Sequence, residues 1–288
     1  MTGMSRPDFA RLVPAFSKAF EEQVRRRIEG TKRQRRAGAG GKPALDSMED
    51  RLLFILVYFN VYPTQDVQGL LFGMTQPWAH KWIHQLTGVL HQALGYEKQL
   101  PERRPATMQE LEEQCPELQF LIDGTERPVR RPSKEPTQRQ RYSGKKKRHT
   151  IKNTIVSNRK TKKVIFLGAT APGSHHDKRM VDDEPIPFPA GSTLFQDLGY
   201  QGYVPSEVDV RQPKKKPRKG ELTEAEKESN RGISRIRIGI EHTIGGVKTS
   251  NIVHDIFRNR KAGYEDEVME IACGLHNHRV DGRFKKAA

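Results

Sequence analysis

Two aspartates in this chain each follow a short apolar run and are themselves followed by glycine. Asp123 closes residues 118–122 and precedes Gly124, while Asp197 comes just after Leu194 and Phe195, with Gly199 two residues on. A carboxylate at the end of a buried strand is held rigidly at the sheet rim with its oxygens reachable, which suits a hard divalent cation such as Mg²⁺. Glu241 lies in a helical pattern, four residues after Arg237 and seven before Lys248, so the three can line one side of a helix. Carboxylates arriving from two strand ends and a helix could hold two divalent ions about 3.5–4 Å apart over a phosphodiester. One ion would activate an attacking water or 3′-hydroxyl and the other would stabilise the leaving oxygen. Histidine ligands are not required, because Mg²⁺ prefers oxygen.

Each carboxylate also has an ordinary structural role open to it. Asp123 and Asp197 can cap the turns that follow them, and Glu241 can pair with Arg237. Spacing alone does not select this trio over sets that include Asp177, Asp182, Asp183 or Glu126. The loop Gly173-Ser174-His175-His176-Asp177 is dense in reactive groups, with His176 and Asp177 as accessory candidates. A zinc reading is weak there, since adjacent side chains do not close on one ion unaided and no cysteine pair assists. Ser174 lacks the Gly-x-Ser-x-Gly surroundings of a nucleophile elbow.

The elements that would position these groups change character along the chain. From residue 46 to about 96 the apolar spacing is helical. Asp46 with Glu49 reads as a capping box, and Leu45, Met48, Leu52, Ile55 and Phe59 mark one face. Thr64 can cap a short helix carrying Val67, Leu70 and Leu71, which Gly73 ends. Thr75 can cap a third helix through Trp78, Trp82, Leu86 and Leu90, with Pro77 in its tolerant first turn. This is the outline of a helix-turn-helix, with a plain three-helix packing unit as the alternative. After Pro105, residues 149–157 and 163–167 read as a hairpin around the polar turn 158–160, and residues 193–195 and 208–210 as further strands. Thr223 with Glu226 then opens a long helix in which Ile233, Ile236, Ile240, Ile244 and Val247 share a side, although its interior glycines weaken it. Strands first and helix last predict an α/β or α+β domain.

The net charge of +16 concentrates polyanions near the surface without naming one. Basic clusters lie at residues 25–36, before the glycine-rich 38–41 that reads as a linker; at residues 139–152, including Lys145, Lys146, Lys147, Arg148 and Lys152; and at residues 211–219. Three such clusters favour contact with a polyanion over solvated faces. Two cysteines build no disulfide framework, the N-terminus lacks a signal-peptide run, and the longest apolar stretch, residues 52–59, is too short for a bilayer. The expectation is a reduced, cytoplasmic protein.

Several ordered segments resemble the DDE superfamily transposases of IS5-like insertion sequences, which are related to the Harbinger group. They are Asp123-Gly124-Thr125-Glu126-Arg127-Pro128-Val129 with Arg131-Pro132; Tyr142 through Thr150; Pro172 through Asp177; Asp197-Leu198-Gly199-Tyr200-Gln201-Gly202; Arg237 through Lys248; and His276-Asn277-His278-Arg279-Val280. The resemblance implies a ribonuclease-H-like core, a mixed sheet flanked by helices, preceded by a small all-helical helix-turn-helix domain. It implies that Asp123 on the first strand, Asp197 at the fourth and Glu241 on a later helix are the catalytic metal ligands for Mg²⁺ or Mn²⁺. Similar proteins bind inverted repeats at element ends, cut there and join the 3′-hydroxyl to target DNA, and synapsis of two ends suggests a homodimer or larger. The expected organisation is a basic helix and linker over residues 1–43, a helix-turn-helix over 44–100, catalysis over 115–280 and a basic tail over 281–288. Trp78, Lys81 and Gln85 are expected to read bases, and Lys145 to Arg148, Arg237 and Lys248 to touch phosphates. A DNA-binding protein without catalysis and an endonuclease without strand transfer remain alternatives.

Overall fold

The computed structural model describes residues 1–29, 44–104 and 115–287, with side chains up to residue 284. The basic residues 32–36, the linker 38–41 and the end of the predicted basic tail lie outside these. Packing divides the chain into two units, residues 1–100 with 248–255 and 267–288, and residues 101–247 with 256–266. No helix among the described residues is long and apolar enough to cross a membrane.

The first unit is helical. It contains α1 (Arg6–Glu29), α2 (Met48–Val61), α3 (Gln65–Leu71), α4 (Gln76–Tyr96), the short α8 (Asn251–His254) and most of α9 (Tyr264–Ala287). Helix α2 is buried nearly all round, at Leu52 and at every residue from Phe54 to Phe59, as expected of a helix apolar on all sides. Its capping box is one residue later than the sequence suggests. Ser47 Oγ accepts the Asp50 N–H at 3.0 Å and Asp50 Oδ2 accepts the Ser47 N–H at 3.2 Å. Thr64 caps α3 by accepting the Val67 N–H, and Gly73 turns the chain with φ +64°. Helix α3, however, exposes Val67, Leu70 and Leu71 and buries Gln68 and Gly69. The Gln68 amide donates to the Phe54 carbonyl at 2.8 Å, and a Cβ on Gly69 would stand 2.5 Å from the Met74 carbonyl oxygen. Close backbone approach at the turn therefore decides which side of α3 faces inward.

The second unit is built on a mixed sheet with strands β1 (Gln119–Pro128), β2 (Tyr142–Ser143), β3 (Arg148–Asn158), β4 (Val164–Leu167), β5 (Ala171–Pro172), β6 (Thr193–Phe195) and β7 (Asp209–Arg211). The order runs β2-β3-β1-β6-β7, with β4 and β5 also paired to β3. β1 and β3 are antiparallel, whereas β1–β6 and β6–β7 are parallel. The helices are α5 (Glu135–Arg141), α6 (Asp177–Asp183) and the long α7 (Glu224–Lys248). Phe120 and Ile122 of β1 point into a core with Val156, Leu194, Val181 and Phe188. On the opposite face Leu121 lies under α7, where a Cβ on Gly239 would come within 3.1 Å of it. The α7 capping box at Thr223 and Glu226 is present in both directions, at 2.8 and 3.2 Å, and the helix runs through its glycines unbroken. This is a ribonuclease-H-like α/β domain preceded by a helix-turn-helix region.

Candidate active site

Adjacent parallel strands bring the two aspartates together. Leu121 of β1 is in register with Phe195 of β6, and Asp123 and Asp197 each lie two residues further on. Side chains alternate between sheet faces, so both carboxylates share the face of Leu121, the one beneath α7. Of the strands longer than two residues, β1 is the first and β6 the fourth.

Each carboxylate divides its oxygens in the same way. Asp123 Oδ1 accepts the Gly124 N–H at 2.8 Å and Asp197 Oδ1 accepts the Gly199 N–H at 2.7 Å; Asp197 thereby caps the turn after it, whereas no turn follows Asp123, because β1 continues through its pairing with β3 to Pro128. The two Oδ2 atoms converge on one cation, Arg237 Nη2, at 3.7 Å from Asp123 and 3.9 Å from Asp197. At those lengths the guanidinium screens both charges without hydrogen-bonding tightly to either. Its Nε is buried and meets no hydrogen-bond partner among the described residues. Burial, and next the neighbouring Asp197 charge, push the Asp123 carboxyl up to about 6, with Arg237 working against the shift.

This donor set fits a divalent cation. Two hard anionic oxygens repel each other in a half-buried cleft and face a single point of positive charge, which a metal ion could supply more strongly. Among the described residues no group of three His, Cys, Asp or Glu side chains is close enough to form a metal cage. Glu241 is exposed one helical turn beyond Arg237 on α7, about 6 Å further along the axis.

Asp177 stands behind the pair. Its Oδ1 lies 2.8 Å from where a Cβ would project at Gly124, and its Oδ2 lies 2.9 Å from the corresponding point at Gly199. The carboxylate fits only because glycine follows each aspartate closely. Lys152 holds it there, its Nζ 3.1 Å from Asp177 Oδ1 and 3.4 Å from Glu126 Oε1 while donating to the His175 carbonyl at 3.0 Å. By sequence Lys152 belongs to a basic surface cluster, but it is 8% exposed, because β3 is covered on both faces. His176 is the exposed residue before α6 and makes no side-chain cap. The fully buried Tyr200 also abuts this cluster, and burial holds its phenol well above the ordinary value.

The other predicted contacts are dispersed. Trp78 is exposed on α4 with Lys81 Nζ 4.6 Å from its ring centre, and Gln85 is half-buried on the same helix. Lys145, Lys146, Lys147 and Arg148 are exposed at the turn between β2 and β3, and Lys248 is half-buried at the end of α7. The segment His276 to Arg279, conspicuous by sequence, is buried in the helical unit, where Asn277 donates to the Gln99 carbonyl at 2.8 Å.

Replacing Arg237 with Met removes the cation between the aspartates, so the R237M protein is expected to be about 1–2 kcal/mol less stable than wild type at pH 8. Asp123 loses its charge as pH falls through about 6, so the deficit should shrink at pH 5. Urea denaturation at the two pH values checks this, and an equal deficit at both would rule out the electrostatic account.

A family model described as DDE superfamily endonuclease matches residues 122–277, and one described as helix-turn-helix of DDE superfamily endonuclease matches residues 43–95. The chain is 28% identical over 280 residues to a protein of Microchaete diplosiphon named "Probable transposase for insertion sequence element IS702", covering 97% of this chain and 93% of that one. No solved structure matches it. With Asp123 and Asp197 brought together by adjacent parallel strands and a helix-turn-helix region preceding them in sequence, the chain belongs to the DDE superfamily endonucleases.

Proposed function

We propose that this protein is a DNA transposase that binds inverted repeats at the ends of a mobile element, hydrolyses a phosphodiester there and joins the freed 3′-hydroxyl to target DNA. The observation that carries the reading is the convergence of Asp123 Oδ2, from within β1, and Asp197 Oδ2, from just after the adjacent parallel β6, on one cationic point. Asp123, Asp197 and Glu241 are the proposed ligands for two Mg²⁺ ions, or Mn²⁺ in their place. When bound, such ions lower the pKa of the attacking oxygen and offset charge on the leaving one.

The chain's own residues supply the rest. Asp123 and Asp197 hold their Oδ2 atoms in place by committing Oδ1 to backbone N–H groups. Arg237, whose buried Nε meets no hydrogen-bond partner among the described residues, could reach a phosphate oxygen of the DNA if Asp123 and Asp197 held a cation. Lys248 and the turn from Lys145 to Arg148 are proposed to touch the DNA backbone, and Trp78, Lys81 and Gln85 to face the bases. On this reading residues 44–100 carry recognition and residues 115–280 carry catalysis. Pairing of two element ends calls for at least a homodimer. The proposed compartment is the cytoplasm, in keeping with Cys115 and Cys273 being buried thiols outside any disulfide.

The test is cleavage and joining of end-labelled duplexes from the flanks of the gene, with Mg²⁺ and with EDTA. Mg²⁺-dependent nicking at the element end followed by joining is expected. Nicking without any joining would reduce the activity to that of an endonuclease, and binding without nicking would remove the enzyme reading. E241Q is expected to cut at least about a hundredfold more slowly, a loss of about 3 kcal/mol in transition-state stabilisation. Wild-type rates for E241Q would exclude Glu241 as a ligand.

A further inference from the structure

A groove of about 590 Å³ opens in the sheet unit beyond the end of β1, apart from the paired aspartates. One rim is the chain after β1 leading into α5, and the other is residues 257–262. The backbone pins the two together, since Phe257 N–H donates to the Pro128 carbonyl at 2.9 Å and Val129 bridges to Phe257. Both of those side chains are buried, so the floor is firm. Among the described residues seven that line the groove are Arg or Lys and one, Glu265, is acidic. Arg130, Arg131, Lys134, Arg260 and Lys261 are exposed, and none of them pairs with a carboxylate among the described residues. Among the described residues Arg131 meets only a neutral side-chain partner, Gln138 Oε1 at 3.0 Å.

We propose that this groove is a second DNA-backbone site, which grips phosphates of a duplex several nucleotides away from the bond that is cut. The proposal rests on the reading of the protein as a DNA-cutting enzyme and adds a binding surface to it. Like charges held on two facing rims repel one another, and binding a polyanion relieves that cost. Exposed cations spread along a half-open channel suit a run of phosphates, whereas a single small anion is normally enclosed by buried donors. β3 runs antiparallel to β1, with Thr150 opposite Pro128, so the exposed turn from Lys145 to Arg148 lies at the same sheet end and extends the positive surface. Asp123 and Val129 are six residues apart, about 20 Å along an extended strand. A duplex rises about 3.4 Å per nucleotide of one strand, so this separation corresponds to about six nucleotides.

Fluorescence anisotropy of the full chain with an arbitrary 30-base-pair duplex, measured in EDTA across a salt series, tests the proposal. R130Q/R260Q is expected to lower the slope of log affinity against log salt by about 1.8, and to weaken binding tens of fold at 0.1 M salt. A charge-matched control on α7, K227Q/R231Q, should keep both within twofold. Thermal melting confirms folding, and R131Q alone, expected to lower the slope by about 0.9, provides a milder variant. An unchanged slope in R130Q/R260Q, an equal loss in the control, or a loss confined to an RNA hairpin would each overturn the proposal. Because no cutting occurs in EDTA, failure here is distinct from failure of the catalytic reading, which would appear as aspartate variants that still cut in Mg²⁺.

Discussion

Asp123→Asn should abolish cleavage while making the metal-free protein more stable. One Oδ2 and one negative charge leave the pair facing Arg237, and loss of about 4 kcal/mol of transition-state stabilisation corresponds to at least about a thousandfold in rate. DNA binding should stay within a few-fold of wild type, since the basic turn and the helical unit are untouched. The stability change has the opposite direction. Asp123 in the folded chain titrates at about 6, against an ordinary 3.8, chiefly because burial and Asp197 disfavour its charge. A carboxyl with a raised folded pKa lowers stability once ionised. The penalty is absent below about pH 4, grows through the interval and is complete above about pH 6. The amide carries no such penalty, so D123N should gain up to about 3 kcal/mol at pH 8 and nothing at pH 4. Added Mg²⁺ should stabilise wild type and leave D123N unchanged. Cleavage rates and urea midpoints with and without Mg²⁺ read all of this. A D123N protein that cuts normally, or one that is less stable at pH 8, would refute the assigned role. D197N should lose cleavage to a similar degree.

Lys152→Met is expected to be the most destabilising single change near the site, at about 3–5 kcal/mol. The lysine is buried, and its removal takes the shared cation from Asp177 and Glu126 inside the unit. Methionine fills a similar volume, so the loss reports charge more than packing. The effect should reach catalysis, because Asp177 rests against the backbone at Gly124 and Gly199 and a displaced carboxylate would push both aspartate-bearing segments. The double variant K152M/D177N should recover at least about 1 kcal/mol, since one of the two stranded charges is then gone. Guanidinium denaturation of the single and double variants decides it. A K152M protein within about 1 kcal/mol of wild type would mean that Lys152 is an ordinary surface residue, as its place in a basic run suggests.

Some features of the protein are local enough to read from the chain. The apolar run before Asp197 identifies it as a strand-end carboxylate, because an abrupt polar stop depends only on neighbouring residues, whereas the run before Asp123 stops in the middle of β1, which pairing with β3 carries on to Pro128. The Thr223 and Glu226 cap and the Gly73 turn are legible for the same reason, while the Ser47 box lies one residue from where the pattern places it. Family resemblance adds the order of strands and favours the helix-turn-helix over a plain three-helix unit. Only tertiary structure decides which cations count. Lys152 is buried because β3 is central in the sheet, while equally basic neighbours at its turn stay in water. Arg237 acquires two carboxylate neighbours because β6 lies beside β1 in a register that aligns residues more than seventy positions apart. Val67, Leu70 and Leu71 stay exposed because a tight backbone approach turns Gln68 and Gly69 inward. Short-range hydrogen bonding and periodicity are written in adjacent residues, whereas the electrostatic partner of a charge is set by which distant segments pack together, and this is the part of the site the sequence alone left open.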